Sequence, residues 1–120
     1  MLGNMQDFPL LVTSLIDHAE REHGEREIVT RWADGQELRS NWSIVALEAR
    51  KFAQMLGRLG VQHGDRVATI GMNHAHHISS WYGTAGMGGI LHTINPRLHA
   101  DQLVYVLNHA GDRVLLFDKM

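Results

Sequence analysis

The chain has 120 residues, 44% of them hydrophobic and 20% charged, with a formal net charge of −2. That balance is too apolar for a disordered chain, and it leaves no basic field to attract nucleic acid. Cysteine is absent, which excludes disulfides, thiolate metal sites and cysteine nucleophiles and fits a reducing compartment.

Residues 1–9 read as a loose leader ending at Pro9. Over 11–23, Leu11, Leu15, Ile16 and Ala19 recur at helical spacing, and Gly24 stops the run. Ile28, Val29, Thr30 and Trp32 favour a strand over 27–33. Asp34-Gly35 is the signal of a type I′ hairpin turn, with 36–40 returning as the partner strand. Asn41 is a candidate N-cap. From Trp42 to Leu59 one apolar stripe runs through Val45, Ala49, Phe52, Ala53, Leu56 and Leu59, and Gly60 closes the helix.

The pattern then changes. Short strands are expected over 66–71, 90–94 and 114–117, with helices over 76–87 and 100–110 between them. Strand, helix, strand, helix, strand at this spacing is the mark of a βαβαβ unit with a parallel sheet and right-handed crossovers. Gly-Asp-Arg-Val occurs at 64–67 and again at 111–114, each time entering a strand after a helix, and reads as one turn solution used twice. The fold class is therefore α/β, a β-hairpin plus a βαβαβ parallel-sheet unit with flanking helices. Such a sheet is buried on both faces, so residues 10–120 read as the front part of a larger α/β domain, cut after its third parallel strand.

No targeting or membrane segment is visible. The first basic residue is Arg21, and the apolar stretch from Pro9 to Ile16 is broken by Thr13 and Ser14, far short of the ~20 residues that span a bilayer. A cytoplasmic location is expected.

His74, His76 and His77 make the densest polar cluster, where the carboxyl end of a parallel strand often meets ligand. Their spacing matches no metal motif, and a solvated helix start is the favoured reading. Gly83, Gly86, Gly88 and Gly89 sit after a helix and before a strand. A phosphate-binding fingerprint needs the reverse order, so close packing and a helix cap are expected instead. The three tryptophans are expected as core anchors or element starts, and the acidic run from Asp17 to Glu27 as a solvated face. No Ser/His/Asp set, paired catalytic carboxylates or Lys-bearing phosphate loop can be assembled.

A series of strings in fixed order adds to this reading. Gly60-Val61-Gln62-His63-Gly64-Asp65-Arg66-Val67-Ala68 is followed by Asn73, then Gly88 and Ile90 to Ile94, then Asn95-Pro96-Arg97-Leu98, then 102–118 ending Leu115-Leu116-Phe117-Asp118. This series resembles the adenylate-forming superfamily of acyl-CoA synthetases, peptide-synthetase adenylation domains and luciferases. Asn41-Trp42-Ser43 looks like that family's entry to its first long helix. Leu91 to Leu98, Leu15 to Ala19, and the opening Met1-Leu2-Gly3 with Met5 look like the medium- and long-chain fatty-acyl-CoA ligase branch, which includes methylmercaptopropionate-CoA ligases.

The resemblance implies a two-step ligase. A carboxylate attacks the α-phosphate of ATP, with Mg²⁺ spreading charge, to give acyl-adenylate and pyrophosphate; the thiol of coenzyme A then displaces AMP. It implies a fatty or other carboxylic acid as the partner of the full-length parent, with a homodimer left open. The family's phosphate loop, nucleotide motifs and catalytic Lys lie downstream of the matched segment. No catalytic, cofactor or metal residue is therefore carried over, and ATP, Mg²⁺ and coenzyme A belong to the parent. The family-motif positions are Asn73, Gly88, His92, Thr93, Asn95, Pro96 and Arg97. Those from His92 to Arg97 are candidates for an acyl tunnel or a dimer contact, with support of the sheet favoured. Arg97 is expected to fix the strand-to-helix turn through carbonyl or carboxylate contacts. The leading expectation is an N-terminal fragment of such a ligase, inactive alone. Two other readings stand beside it, a small binding or interaction module and a flavodoxin-like nucleotide protein. The latter is poorly served by Gly71-Met72-Asn73-His74, where its phosphate loop would have to lie.

Overall fold

A computed structural model describes residues 3–119, so Met1, Leu2 and Met120, with what the sequence suggested of them, lie outside the described residues. In chain order the elements are α1 (Thr13–His23), β1 (Glu27–Arg31), β2 (Glu37–Asn41), α2 (Trp42–Arg58), β3 (Arg66–Ile70), α3 (Ala75–Gly86), β4 (Ile90–Thr93), α4 (Ala100–Ala110) and β5 (Val114–Phe117). The chain is mixed α/β. β1 and β2 form an antiparallel hairpin, and a parallel sheet has the order β4-β3-β5. Ala68 of β3 lies between His92 of β4 and Leu115 of β5.

The order explains the layers. The crossover from β3 to β4 and the one from β4 to β5 run in opposite directions, and right-handed crossovers then put α3 and α4 on opposite faces. Val67, Val114 and Leu116 face the α2–α3 side and pack with Leu56, Phe52 and Met87. A second cluster joins α1, α2 and α3 through Ile16, Val45, Ala46 and Ala75, against which Ile28, Trp42, Ile78 and Tyr82 pack. On the other face Arg66 reaches the carbonyl of Ala110 with its Nε.

α2 follows its predicted stripe. The Asn41 side chain accepts the Ile44 N–H at 2.9 Å. At the far end Val61 N–H bonds Leu56 C=O and Gly60 N–H bonds Gly57 C=O, a Schellman closure in which Gly60 carries φ of +81°. Leu59, counted in the stripe, is exposed because it sits in that closure, and Ala46 is buried in its stead.

Other expectations need correction. The hairpin turn is not type I′, because Asp34 does not adopt positive φ. Its loop is Ala33-Asp34-Gly35, with Gly35 N–H on Trp32 C=O and Trp32 N–H on Gln36 C=O. The Asp34 carboxylate accepts the Gln36 N–H at 3.0 Å, which favours a type I turn followed by a left-handed Gly35. β1 ends at Arg31, and Trp32 flanks the loop outside the strand. Trp81 is no core anchor, since it is exposed. The buried face of α3 is instead small and polar: Ala75, Ser79, Ser80, Gly83 and Thr84. α4 has the expected apolar residues but buries none of them fully. No helix of the described residues is long and apolar enough to cross a membrane.

Candidate functional site

The loops leaving the carboxyl ends of β3 and β4 open a cleft of about 980 Å³. Ile28 of the hairpin, Trp42 of α2, and Ile78, Trp81 and Tyr82 of α3 make its apolar walls. Asn73, His74, His77, Thr93 and Asn95 add polar groups to the lining, beside Pro96. Four of the family-motif positions, Asn73, Thr93, Asn95 and Pro96, thus line the same cleft.

His74 is the hub of this end of the sheet. It is 7% exposed and caps α3, its Nδ1 accepting the His77 N–H at 3.0 Å. A ring nitrogen that accepts from an amide carries no proton, so Nε2 carries it and donates to Asp118, 2.9 and 3.0 Å from the two carboxylate oxygens. Asp118 Oδ2 also accepts the Met72 N–H at 2.7 Å. His77 donates from Nδ1 to the Met72 carbonyl and accepts the Thr69 hydroxyl at Nε2, both at 3.0 Å. Burial pushes the Asp118 carboxyl upward, but the Met72 N–H and the His74 ring outweigh it, and Asp118 is held below the ordinary carboxylate value.

This revises the reading of the histidine cluster as a solvated helix start. His76 is exposed and pairs with Glu48 at 3.1 Å. His74 is buried, because Asp118 and the Trp32 ring, 4.9 Å away, arrive from distant parts of the chain. Both nitrogens of His74 and of His77 are committed to internal partners, so neither stands ready as a proton acceptor for a ligand. Among the described residues no group of three or more His, Asp or Glu could hold a metal ion.

Gly88 lies at the opposite end of the strands. Gly88 N–H and Gly89 N–H close α3 on the carbonyls of Ala85 and Thr84. A Cβ placed at Gly88 would lie 2.3 Å from the His63 ring. The glycine run is a cap and a packing contact, and its amides are spent on carbonyls, so these residues do not cradle a phosphate.

His92 faces the α4 side, where its Nδ1 meets Asp112 Oδ2 at 2.8 Å across β3. The Asp112 side chain is 4% exposed. Its Oδ1 is buried and unpartnered among the described residues. Arg97 is exposed, and among the described residues its guanidinium makes no hydrogen bond or ion pair. Asn95 fixes the turn instead: its side chain accepts the Arg97 N–H at 3.0 Å and its carbonyl accepts the Leu98 N–H at 3.2 Å. Sequence reasoning did not single out Asp118, Asp112 or Thr30. For Asp118 a signal existed: it directly follows the third strand, at the same sheet end as the histidines.

The family model described as AMP-binding enzyme matches residues 16–119. The chain is 50% identical over 118 residues to a 3-methylmercaptopropionyl-CoA ligase of Ruegeria lacuscaerulensis, covering 98% of this chain and 22% of that protein. It is 47% identical to a medium-chain-fatty-acid–CoA ligase of Ectopseudomonas oleovorans, again over 98% of this chain and 22% of the relative. The solved structure of a Mycobacterium tuberculosis fatty acyl CoA synthetase superposes with a TM-score of 0.76 at 23% identity, over 89% of this chain and 21% of that one, a likeness of fold alone. The chain thus spans about a fifth of the length of these relatives. With the family model aligned from the first core residue of α1 to the residue after Asp118, the chain belongs to the AMP-binding enzyme family.

Proposed function

We propose that this chain is the N-terminal part of the large domain of an ATP-dependent fatty-acyl-CoA synthetase, with residues 10–120 as a partial subdomain that is inactive alone. The observation that carries this is identity near one half along almost the whole chain to relatives named as acyl-CoA ligases. In the parent, a fatty or other carboxylic acid reacts with ATP to give acyl-adenylate and pyrophosphate, and coenzyme A then displaces AMP. Mg²⁺ and coenzyme A are partners of that longer polypeptide, which we place in the cytoplasm. The residues described here contribute scaffold: a sheet end with a hydrogen-bonded His74–Asp118 corner beside an apolar cleft. Catalysis of this kind depends on holding charged groups in place, and a stiff sheet supplies the base for that.

A chimera tests the proposal. This chain replaces the matching segment of the Ectopseudomonas oleovorans ligase, and acyl-CoA formation from octanoate, ATP and coenzyme A is followed. Retained synthesis, within about tenfold of the unaltered enzyme given the tolerance of repacked cores, supports the reading. A chimera that folds but makes no acyl-CoA contradicts it.

A further inference from the structure

Three parts of the chain that are distant in sequence meet at His74. The hairpin brings the Trp32 ring against it, and the Thr30 hydroxyl oxygen accepts the Ala75 N–H at 3.0 Å. The end of β5 brings Asp118, and α3 brings the His77 N–H. The peptide units of Met72 are gripped on both sides, the N–H by Asp118 and the carbonyl by the His77 ring. A Cβ placed at Gly71 would lie 3.3 Å from Asp118 Oδ2, so the carboxylate rests against the loop backbone itself.

We infer that His74 and Asp118 form a proton-sensitive latch, which couples the end of β5 to the loop 71–73 on the wall of the cleft and opens and closes that loop as one unit. The latch goes beyond the ligase reading and does not depend on it. His74 is a positioning residue here, because it acts on the loop through Asp118 and the α3 amide. The titratable groups facing the pair are His77 and His76 of α3, with Glu48 of α2 behind His76. β3 contributes Thr69, the hairpin contributes Trp32 and Thr30, and Lys119 beyond Asp118 is exposed. At neutral pH the carboxylate is ionised and holds both the Met72 N–H and the His74 ring. Protonating it removes the charge the two donors share, and the loop is released.

Amide hydrogen exchange by NMR on the 120-residue chain tests the latch, with the β3 amides as an internal control for folding. In His74→Asn the new side chain caps the helix but is too short to reach Asp118. A latch predicts that the Met72 amide then loses about tenfold in protection while the His77 amide keeps its own. A residue that merely caps would leave Met72 unchanged. In Asp118→Asn the His77 amide, which Asp118 does not touch, is expected to lose about tenfold as well. In the unaltered chain, which needs no variant to fold, the protection of the Met72 amide is expected to fall as the Asp118 carboxylate takes up its proton. The inference is overturned if Met72 is unaffected by His74→Asn, if Asp118→Asn leaves the His77 amide as protected as before, or if neither is protected at neutral pH.

Discussion

Gly83 of α3 passes so close to Ala49 of α2 that a Cβ at Gly83 would sit 2.5 Å from the Ala49 carbonyl oxygen and 3.1 Å from the Phe52 side chain. The first contact is with backbone, which cannot swing aside as a side chain does. Gly83→Ala is expected to push the two helices apart and cost about 1–3 kcal/mol by overpacking, although alanine is the better helix former. A urea melt of the chain checks it, and a midpoint at or above that of the unaltered chain would show that the helices do not cross this closely.

Leu56 is fully buried between α2 and the parallel sheet, against Val61 and Val67. Leu56→Ala removes that packing and leaves a void, so a loss of about 2–5 kcal/mol is expected. Arg50→Ala makes a useful contrast on another face of the same helix. Its guanidinium pairs with Glu20 at 2.6 Å, with half of the side chain exposed. An exposed pair contributes little, about 0.5 kcal/mol, and less in high salt. Comparing the two midpoints in low and high salt separates the effects.

Asp118 contributes to the acid limb of stability, beside Glu20 and Glu22, whose carboxyls Arg50 and Arg21 likewise hold low. Its folded-state pKa lies below the ordinary value of 3.8. A depressed carboxyl stabilises the fold at pH values above its unfolded pKa, and that stability is lost as the pH falls through the folded value. Asp118→Asn is therefore expected to lower the urea midpoint at neutral pH and to flatten its fall in acid. A variant whose acid limb matches that of the unaltered chain would assign the effect to other carboxylates.

The turn after β4 discriminates side chain from backbone. Asn95→Ala removes the acceptor of the Arg97 N–H, and a cost of about 1 kcal/mol is expected. Arg97→Ala should stay within about 0.5 kcal/mol of the unaltered chain, since it leaves that bond in place. A larger loss from the arginine variant than from the asparagine one would restore the turn to Arg97.

Much of the fold was legible because it rests on local pattern. The stripe from Val45 to Leu56 and the cap at Asn41 define α2 without help from the rest of the chain, and the spacing of three short strands and two helices implies a parallel sheet. What was not legible rests on meetings between distant residues. His74 and Asp118 are 44 residues apart, and no local spacing marks a histidine at a helix start as buried. The turn at Asp34-Gly35 departs from expectation for a smaller reason: the Asp34 carboxylate bonds the Gln36 N–H, tipping the dipeptide away from the paired left-handed conformation. Trp81 fits the helical period of α3, but the buried face is taken by serine, threonine and glycine, where α2 approaches too closely for bulk.

Pyrophosphate release by the purified chain, incubated with ATP, Mg²⁺ and octanoate, tests most directly whether these residues are scaffold for chemistry that resides elsewhere. No octanoate-dependent release above the buffer blank is the expected result. Sustained release that requires the fatty acid would contradict it and place a working adenylation site within these 120 residues.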